Sequence, residues 1–206
     1  MRHALILVDI QNDFMPDGAL PVSDGDAVVP VANRLAHRYP VVAASQDWHP
    51  PDHGSFASVH PGKEPFEVIE LNGLEQVLWP PHCIQDTWGA EFHPQLERKP
   101  IQQVFRKGVD PAVDSYSAFF DNGRRSATGL HEWLQEREVH VIDVLGLATE
   151  VCVQATASDA RELGYRTRLV LPGCRAAEVE PGDGARAVAA LCERGVEILE
   201  QEPEMP

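Results

Sequence analysis

Short apolar runs alternate with amphipathic stretches over most of this chain. Residues 3 to 8, HALILV, are apolar with β-branched members and stop at Asp9. Such a run predicts a strand buried on both faces, as in a parallel sheet. From Ala27 to Tyr39, Val28, Val31, Ala32, Leu35 and Ala36 recur at helical spacing, with Ser23 or Asp24 available as a cap. Val41 to Ser45 is a second apolar run, ending at Gln46-Asp47. Strand, helix and strand in this order predict a parallel pair with a right-handed crossover.

The pattern lapses between residues 48 and 100, which hold most of the His and Trp and eight of the 17 Pro. An irregular stretch of this length inside a compact domain reads as a functional loop or an insertion. Strand character resumes at residues 102 to 106 (QQVFR), closed by Lys107-Gly108. A short helix is expected over residues 128 to 136, with Leu130, Trp133 and Leu134 on one face. A strand follows over 139 to 145. The turn GLATE at 146 to 150 leads into a helix from about Val151 to Leu163, stopped by Gly164. Tyr165 to Leu171 reads as a strand. Asp183 to Arg194 reads as a helix with Ala185, Val188, Ala189 and Cys192 on its inner face. Val196 to Leu199 is a last strand. Six strands alternating with helices predict an α/β fold, a doubly wound and mostly parallel sheet covered on both faces. The expected order, counting these strands, is 3-2-1-4-5-6, with ligands at the carboxyl ends near the switch point. The whole of residues 1–206 is expected to form a single domain, with an insertion or lid at about 47–100.

Composition narrows the function. A chain of 206 residues with 17 Lys+Arg, 32 Asp+Glu and a formal charge of −15 repels phosphate backbones and anionic headgroups. Nucleic acid and membrane are therefore not expected partners, and no apolar run nears the roughly 18 residues of a span. Asp9 interrupts the only apolar segment near the N-terminus, so no secretory leader is read there and a cytoplasmic protein is expected. Neither GxGxxG nor GxxxxGK[ST] occurs, which removes the usual nucleotide fingerprints. The four cysteines, Cys83, Cys152, Cys174 and Cys192, contain no CxxC pair, against a thiolate zinc finger or a thioredoxin-like motif.

Three strand ends carry reactive groups that a doubly wound sheet would bring together: Asp9, Lys107 and Cys152. Cys152 opens a predicted helix, where free N–H groups and the macrodipole favour a thiolate and could hold an oxyanion. Asp9, at the end of a buried strand, suits a general base with raised proton affinity. Lys107 matters if it meets Asp9; alone it would be a solvated strand end. Cys174 and Cys192 read as structural, and Cys83 as packed or as a metal ligand. Five of the nine histidines, His49, His53, His60, His82 and His93, fall between residues 49 and 93. Asp47 and His49, two apart at a strand end, can point the same way. Carboxylate and imidazole suit Zn²⁺, Fe²⁺ or Mn²⁺, and fewer than four protein ligands leave room for water or substrate.

The strings LILVDIQNDF (5–14), SQDWHPPDHGSFASVHPG (45–62), WPPHCIQDTWGAEFHP (79–94), FRKG (105–108), DSYSAFFDNGRR (114–125) and GLATEVCV (146–153) run in order through most of the chain. Together they closely resemble the nicotinamidases (pyrazinamidase/nicotinamidase family) of the isochorismatase-like cysteine hydrolase superfamily. The resemblance implies a metal-containing amidohydrolase converting nicotinamide to nicotinate and ammonia for NAD salvage, with pyrazinamide as a further substrate. It implies Asp9, Lys107 and Cys152 as catalytic triad, and backbone N–H groups of Ala148 and Cys152 as oxyanion hole. It implies Phe14 and Trp79 around the pyridine ring with Tyr116 nearby, and a cis Leu147-Ala148 peptide. Asp47, His49 and His82 would hold one divalent metal, zinc before iron or manganese, with His53 as a candidate fourth ligand. Homo-oligomerisation stays open. Glu150 and Val151 depart from the family pattern, and Val151 bears on one pocket wall. The alternatives are a carbamoyl or ureido-acid amidohydrolase of the same superfamily, against which the Asp-x-His set speaks. Isochorismatase-type chemistry would not need Cys152, and a non-catalytic metal-binding module would not need the triad.

Overall fold

The apolar runs become strands whose burial matches their composition. A computed structural model describes residues 1–204. Its strands are β1 (Arg2–Val8), β2 (Val41–Asp47), β3 (Val68–Leu71), β4 (Leu74–Val77), β5 (Gln103–Lys107), β6 (Val139–Leu147), β7 (Arg166–Arg175) and β8 (Glu197–Leu199). Helices α1 (Val28–Ala36), α2 (Leu130–Gln135), α3 (Gln154–Glu162) and α4 (Asp183–Glu193) connect them. Six strands form one sheet in the order β5-β2-β1-β6-β7-β8, all neighbours parallel. That is the expected 3-2-1-4-5-6 order. The switch point falls between β1 and β6, so the ends of β1, β2, β5 and β6 gather in one crevice. No helix of the described residues is long and apolar enough to cross a membrane.

Several local expectations need correction. The stretch 48 to 100 is not wholly irregular, because β3 and β4 form an antiparallel hairpin around Asn72-Gly73. Both turn residues have positive φ, 50° and 83°, the pair that a two-residue hairpin turn of the I′ kind requires. Strand β7 runs past Leu171 to Arg175; the ladder skips between Val144 and Gly146, so the Pro172 segment bulges and pairing resumes at Cys174. Neither Ser23 nor Asp24 caps α1 through its side chain. In α4 the buried residues are Gly184, Ala187 and Leu191, while Ala185, Ala189 and Cys192 are exposed. One leucine in an alanine-rich helix decides which face turns inward, and Cys192 is therefore not a packing residue.

Candidate active site

Register brings the first charged pair together. Asp47 and Lys107, the last residues of β2 and β5, are in-register neighbours, so their side chains emerge side by side. The Lys107 ammonium lies 2.5 Å from Asp47 Oδ1 and 2.9 Å from Asp9 Oδ2. It also donates to the Ser115 carbonyl at 2.9 Å and reaches Cys152 Sγ at 3.3 Å. Lys107 is the one buried lysine or arginine among the described residues, and two carboxylates explain why burial does not neutralise it. They hold its pKa well above the ordinary lysine value against the downward pull of burial.

Asp9 follows β1 with φ of +48°, a left-handed position uncommon for a residue with a side chain. Its carboxylate is fully buried; Ser45 donates to Oδ1 at 2.6 Å. Oδ2 lies close to Lys107 but accepts no well-aligned hydrogen bond. Burial, with Asp47 nearby, pushes the Asp9 pKa up in spite of Lys107. Cys152 sits in a π-turn, Thr149–Val153, that precedes α3 rather than in the first turn of an α-helix. Its sulfur and one carboxylate oxygen from each of Asp9 and Asp47 lie within 4.8 Å of one another. A helix start favours a thiolate, and burial opposes it here. Burial pushes its pKa well above the ordinary value, Lys107 offsets part of this, and the two aspartates add to it. The Leu147-Ala148 peptide is cis. The N–H groups of Val151 and Val153 are spent on the Ala148 carbonyl. Ala148 and Cys152, whose N–H groups are the expected oxyanion donors, both line the cavity described below.

Asp47, His49 and His82 converge beside this trio. His49 Nδ1 donates to the Gly108 carbonyl at 2.9 Å, and His82 Nδ1 to the Pro80 carbonyl at 2.8 Å. A carbonyl can only accept, so both rings carry a proton on Nδ1 and turn Nε2 toward Asp47. These two nitrogens stand 3.6 and 3.7 Å from Asp47 Oδ2, too far for hydrogen bonds. Donors about 2.1 Å from a tetrahedral cation lie roughly 3.4 Å apart, so the spacing fits a bound metal. Carbonyl-anchored imidazoles beside a carboxylate are the usual way such ligands are oriented. Burial raises the Asp47 pKa, yet Lys107 and His49 outweigh it and hold the carboxylate well below the ordinary range. His53 packs against His49 with ring centroids 4.5 Å apart, but it groups with His49 and Asp114 rather than with Asp47 and His82. Its Nδ1 is engaged by Ser55, and its Nε2 is buried without a partner. His60 bonds the Gly54 carbonyl and His93 accepts from Gln95 N–H, so both are loop residues as expected. Cys83 is packed.

These groups open into a cavity of about 620 Å³, whose walls include Phe14, Leu20, Trp79, Tyr116, Val151 and Val179. Phe14 stands 5.5 Å from the His82 ring, and Trp79 meets Tyr116 edge to face at 6.2 Å. Trp79 Nε1 and Gln76 Nε2 both reach the Tyr116 hydroxyl, at 3.2 and 3.1 Å. Gln76 belongs to β4, so the hairpin braces the aromatic wall.

Sequence reasoning missed the residues that act through backbone. The Gln11 side chain clamps Asp47 at both ends: its Nε2 donates to the Asp47 carbonyl and its Oε1 accepts the Asp47 N–H, each at 2.8 Å. Gly108 provides the carbonyl for His49. Ser45, Gln76 and Asp114 were equally silent.

The chain matches the isochorismatase domain family over residues 3–202. It is 50% identical over 200 residues to a nicotinamidase of Escherichia coli, covering 95% of this chain and 93% of that protein. Among solved structures it is similar to a nicotinamidase/pyrazinamidase of Acinetobacter baumanii, with a TM-score of 0.93, 43% identity, and coverage of 98% and 96%. An L. infantum protein in complex with nicotinate gives a TM-score of 0.83 at 34% identity, covering 96% and 92%. A pyrazinamidase of Pyrococcus horikoshii in complex with zinc gives 0.79 at 33% identity, covering 97% and 99%.

Proposed function

This chain belongs to the isochorismatase family and groups within it with the nicotinamidases, and we propose that Asp9, Lys107 and Cys152 hydrolyse nicotinamide to nicotinate and ammonia. The observation that carries the assignment is the Lys107 ammonium, shared by Asp9, Asp47 and Cys152, the last two of which line an apolar cavity. The thiol and the Asp9 carboxyl both have raised pKa values, so the proton leaves sulfur as the carbon–sulfur bond forms. Asp9 takes that proton, and Lys107 stabilises the charge between them. The carbonyl oxygen becomes an oxyanion held by the Ala148 and Cys152 N–H groups. Asp9 then returns the proton to the amide nitrogen, the carbon–nitrogen bond breaks and ammonia leaves. In the second half Asp9 deprotonates a water that attacks the thioester, and the sulfur departs to regain a proton.

Phe14 and Trp79 flank the ring, with Tyr116 behind Trp79. Asp47, His49 and His82 would hold one divalent metal, zinc by preference, which when bound supplies an electrophilic anchor for the pyridine nitrogen. The metal would thus position the ring rather than activate the amide. His53 serves beside this set and not within it, because its pairing with Ser55 turns it toward Asp114. The segment 47–100 is the metal-bearing lid of a single domain. Pyrazinamide, a ring of the same shape, is a further substrate. A neutral substrate suits a chain of charge −15 acting in the cytoplasm. The test is ammonia release from nicotinamide, with benzamide and a carbamoyl amino acid for comparison. Nicotinamide alone should be turned over efficiently, and Cys152→Ala should lose several orders of magnitude in kcat. Ammonia release retained by that variant would sink the mechanism.

A further inference from the structure

We propose that Asp13, which touches none of the reacting groups, is a positioning residue that sets the spacing between the ring-binding wall and the metal ligands. The inference rests on the reading of the cavity as the amide site. Asp13 lies in the one-turn helix Asn12–Phe14, so its neighbour in the chain is the wall residue Phe14. Its Oδ2 accepts the Cys83 N–H at 2.7 Å, and Cys83 directly follows the ligand His82. Its Oδ1 accepts the Ala19 N–H at 3.2 Å, and its carbonyl accepts the Leu20 N–H at 2.9 Å. Ala19 and Leu20 line the cavity mouth. One residue thereby joins three separate segments of the site: the Phe14 turn, the 19–22 wall and the His82 loop.

The surroundings are shaped for that carboxylate. A Cβ on Gly89 would fall 2.1 Å from Asp13 Oδ2, so no larger residue fits there while the carboxylate keeps its place. Cys83, whose N–H is captured, has φ of +45°, a left-handed conformation held against its own preference. A charge-assisted bond to that N–H opposes relaxation of the loop. The carboxylate lies outside the cavity, so its effect reaches the substrate only through the positions of Phe14, Leu20 and His82.

Two variants test this from opposite sides. Asp13→Asn removes the charge and one accepting oxygen. Gly89→Ala leaves Asp13 intact but drives its carboxylate aside. Zinc retention is measured by competition with a chromophoric chelator, nicotinamide turnover with zinc in excess, and the thermal midpoint alongside. Both variants should hold zinc about 10- to 100-fold more weakly, the usual cost of disturbing an outer support. With zinc in excess, KM should rise about tenfold while kcat stays within about threefold, because binding geometry and not the triad is altered. Unchanged zinc retention and KM in both variants would overturn the proposal. So would a loss confined to kcat that tracks the thermal midpoint, the mark of a merely structural role. If Asp13→Asn fails to fold, Gly89→Ala carries the test. Zinc retention needs no substrate, so a wild type inert toward nicotinamide would defeat the functional reading and still leave the clamp decided.

Discussion

Replacing Gly108 by alanine should disable the site with little effect on folding, and the structure gives both magnitudes. Gly108 has φ of +65°, where an alanine costs roughly 1–2 kcal/mol. A domain stable by roughly 5–15 kcal/mol remains folded after that loss. For a chain of this size it corresponds to a fall in Tm of about 2–8 °C. The second effect is local. The added Cβ would fall 2.3 Å from His49 Cε1 and 2.5 Å from Nδ1, where ordinary contact begins at 3.4 Å. The imidazole must therefore move by about 1 Å, several times the ~0.2 Å tolerance of a metal–ligand distance. Zinc affinity should fall by at least about 10- to 100-fold, and KM for nicotinamide should rise with it. Chelator competition, steady-state kinetics in excess zinc and a thermal melt separate the two effects. A variant that melts several degrees lower yet keeps wild-type zinc affinity and KM would refute the argument, leaving Gly108 a purely conformational residue.

Three further outcomes follow from the geometry. Burial raises the Cys152 thiol well above its ordinary pKa, so in a Cys192→Ser background its alkylation by iodoacetamide should still be accelerating through pH 9; a plateau below pH 8 would contradict a protonated resting thiol. Lys107→Met strands two buried carboxylates, Asp9 and Asp47, and should cost about 3–5 kcal/mol in urea unfolding; a loss under about 1 kcal/mol would mean that Lys107 does not compensate them. Chelation of the metal should raise KM for nicotinamide more than it lowers kcat, and verified metal loss with an unchanged KM would remove the positioning role.

The sheet order was legible because each parallel strand is a compact apolar run and each inner helix has a clear periodicity, as in Val28, Val31, Ala32, Leu35 and Ala36. The convergence of Asp9, Lys107 and Cys152, and of Asp47, His49 and His82, was legible where reactive residues terminate those runs. The hairpin was not, because β3 and β4 have four residues each and most of them are exposed or half-buried, so they carry no strong alternation. The α4 face was misread because its alanines offer a period but no dominant bulk. The supports of the site were hidden for a different reason. Gln11 and Asp13 act on backbone atoms 36 to 79 residues away, and a contact to a peptide group leaves no imprint on the partner's side chain. The burial that raises the Cys152 thiol was hidden because a helix start alone says nothing of how deeply the sulfur is buried.

The buried charges account for the division of labour in the site. Asp9 and Asp47 are both buried against a single ammonium, Lys107, so carboxylates outnumber the one cation that touches them. An enclosed region tolerates such an excess poorly, and a divalent cation at Asp47, His49 and His82 would offset it. The same excess adds to burial in pushing the Cys152 thiol up, because a further anion beside Asp9 and Asp47 would deepen it. Nicotinamide, being neutral, enters this environment at no electrostatic cost. On the proposed mechanism nicotinate does not share that advantage, because hydrolysis would create its carboxylate next to Asp9, where a like charge is disfavoured. The aspartate proposed to accept protons would therefore oppose retention of the anionic product, and a chain of charge −15 gives the departing anion no reason to return.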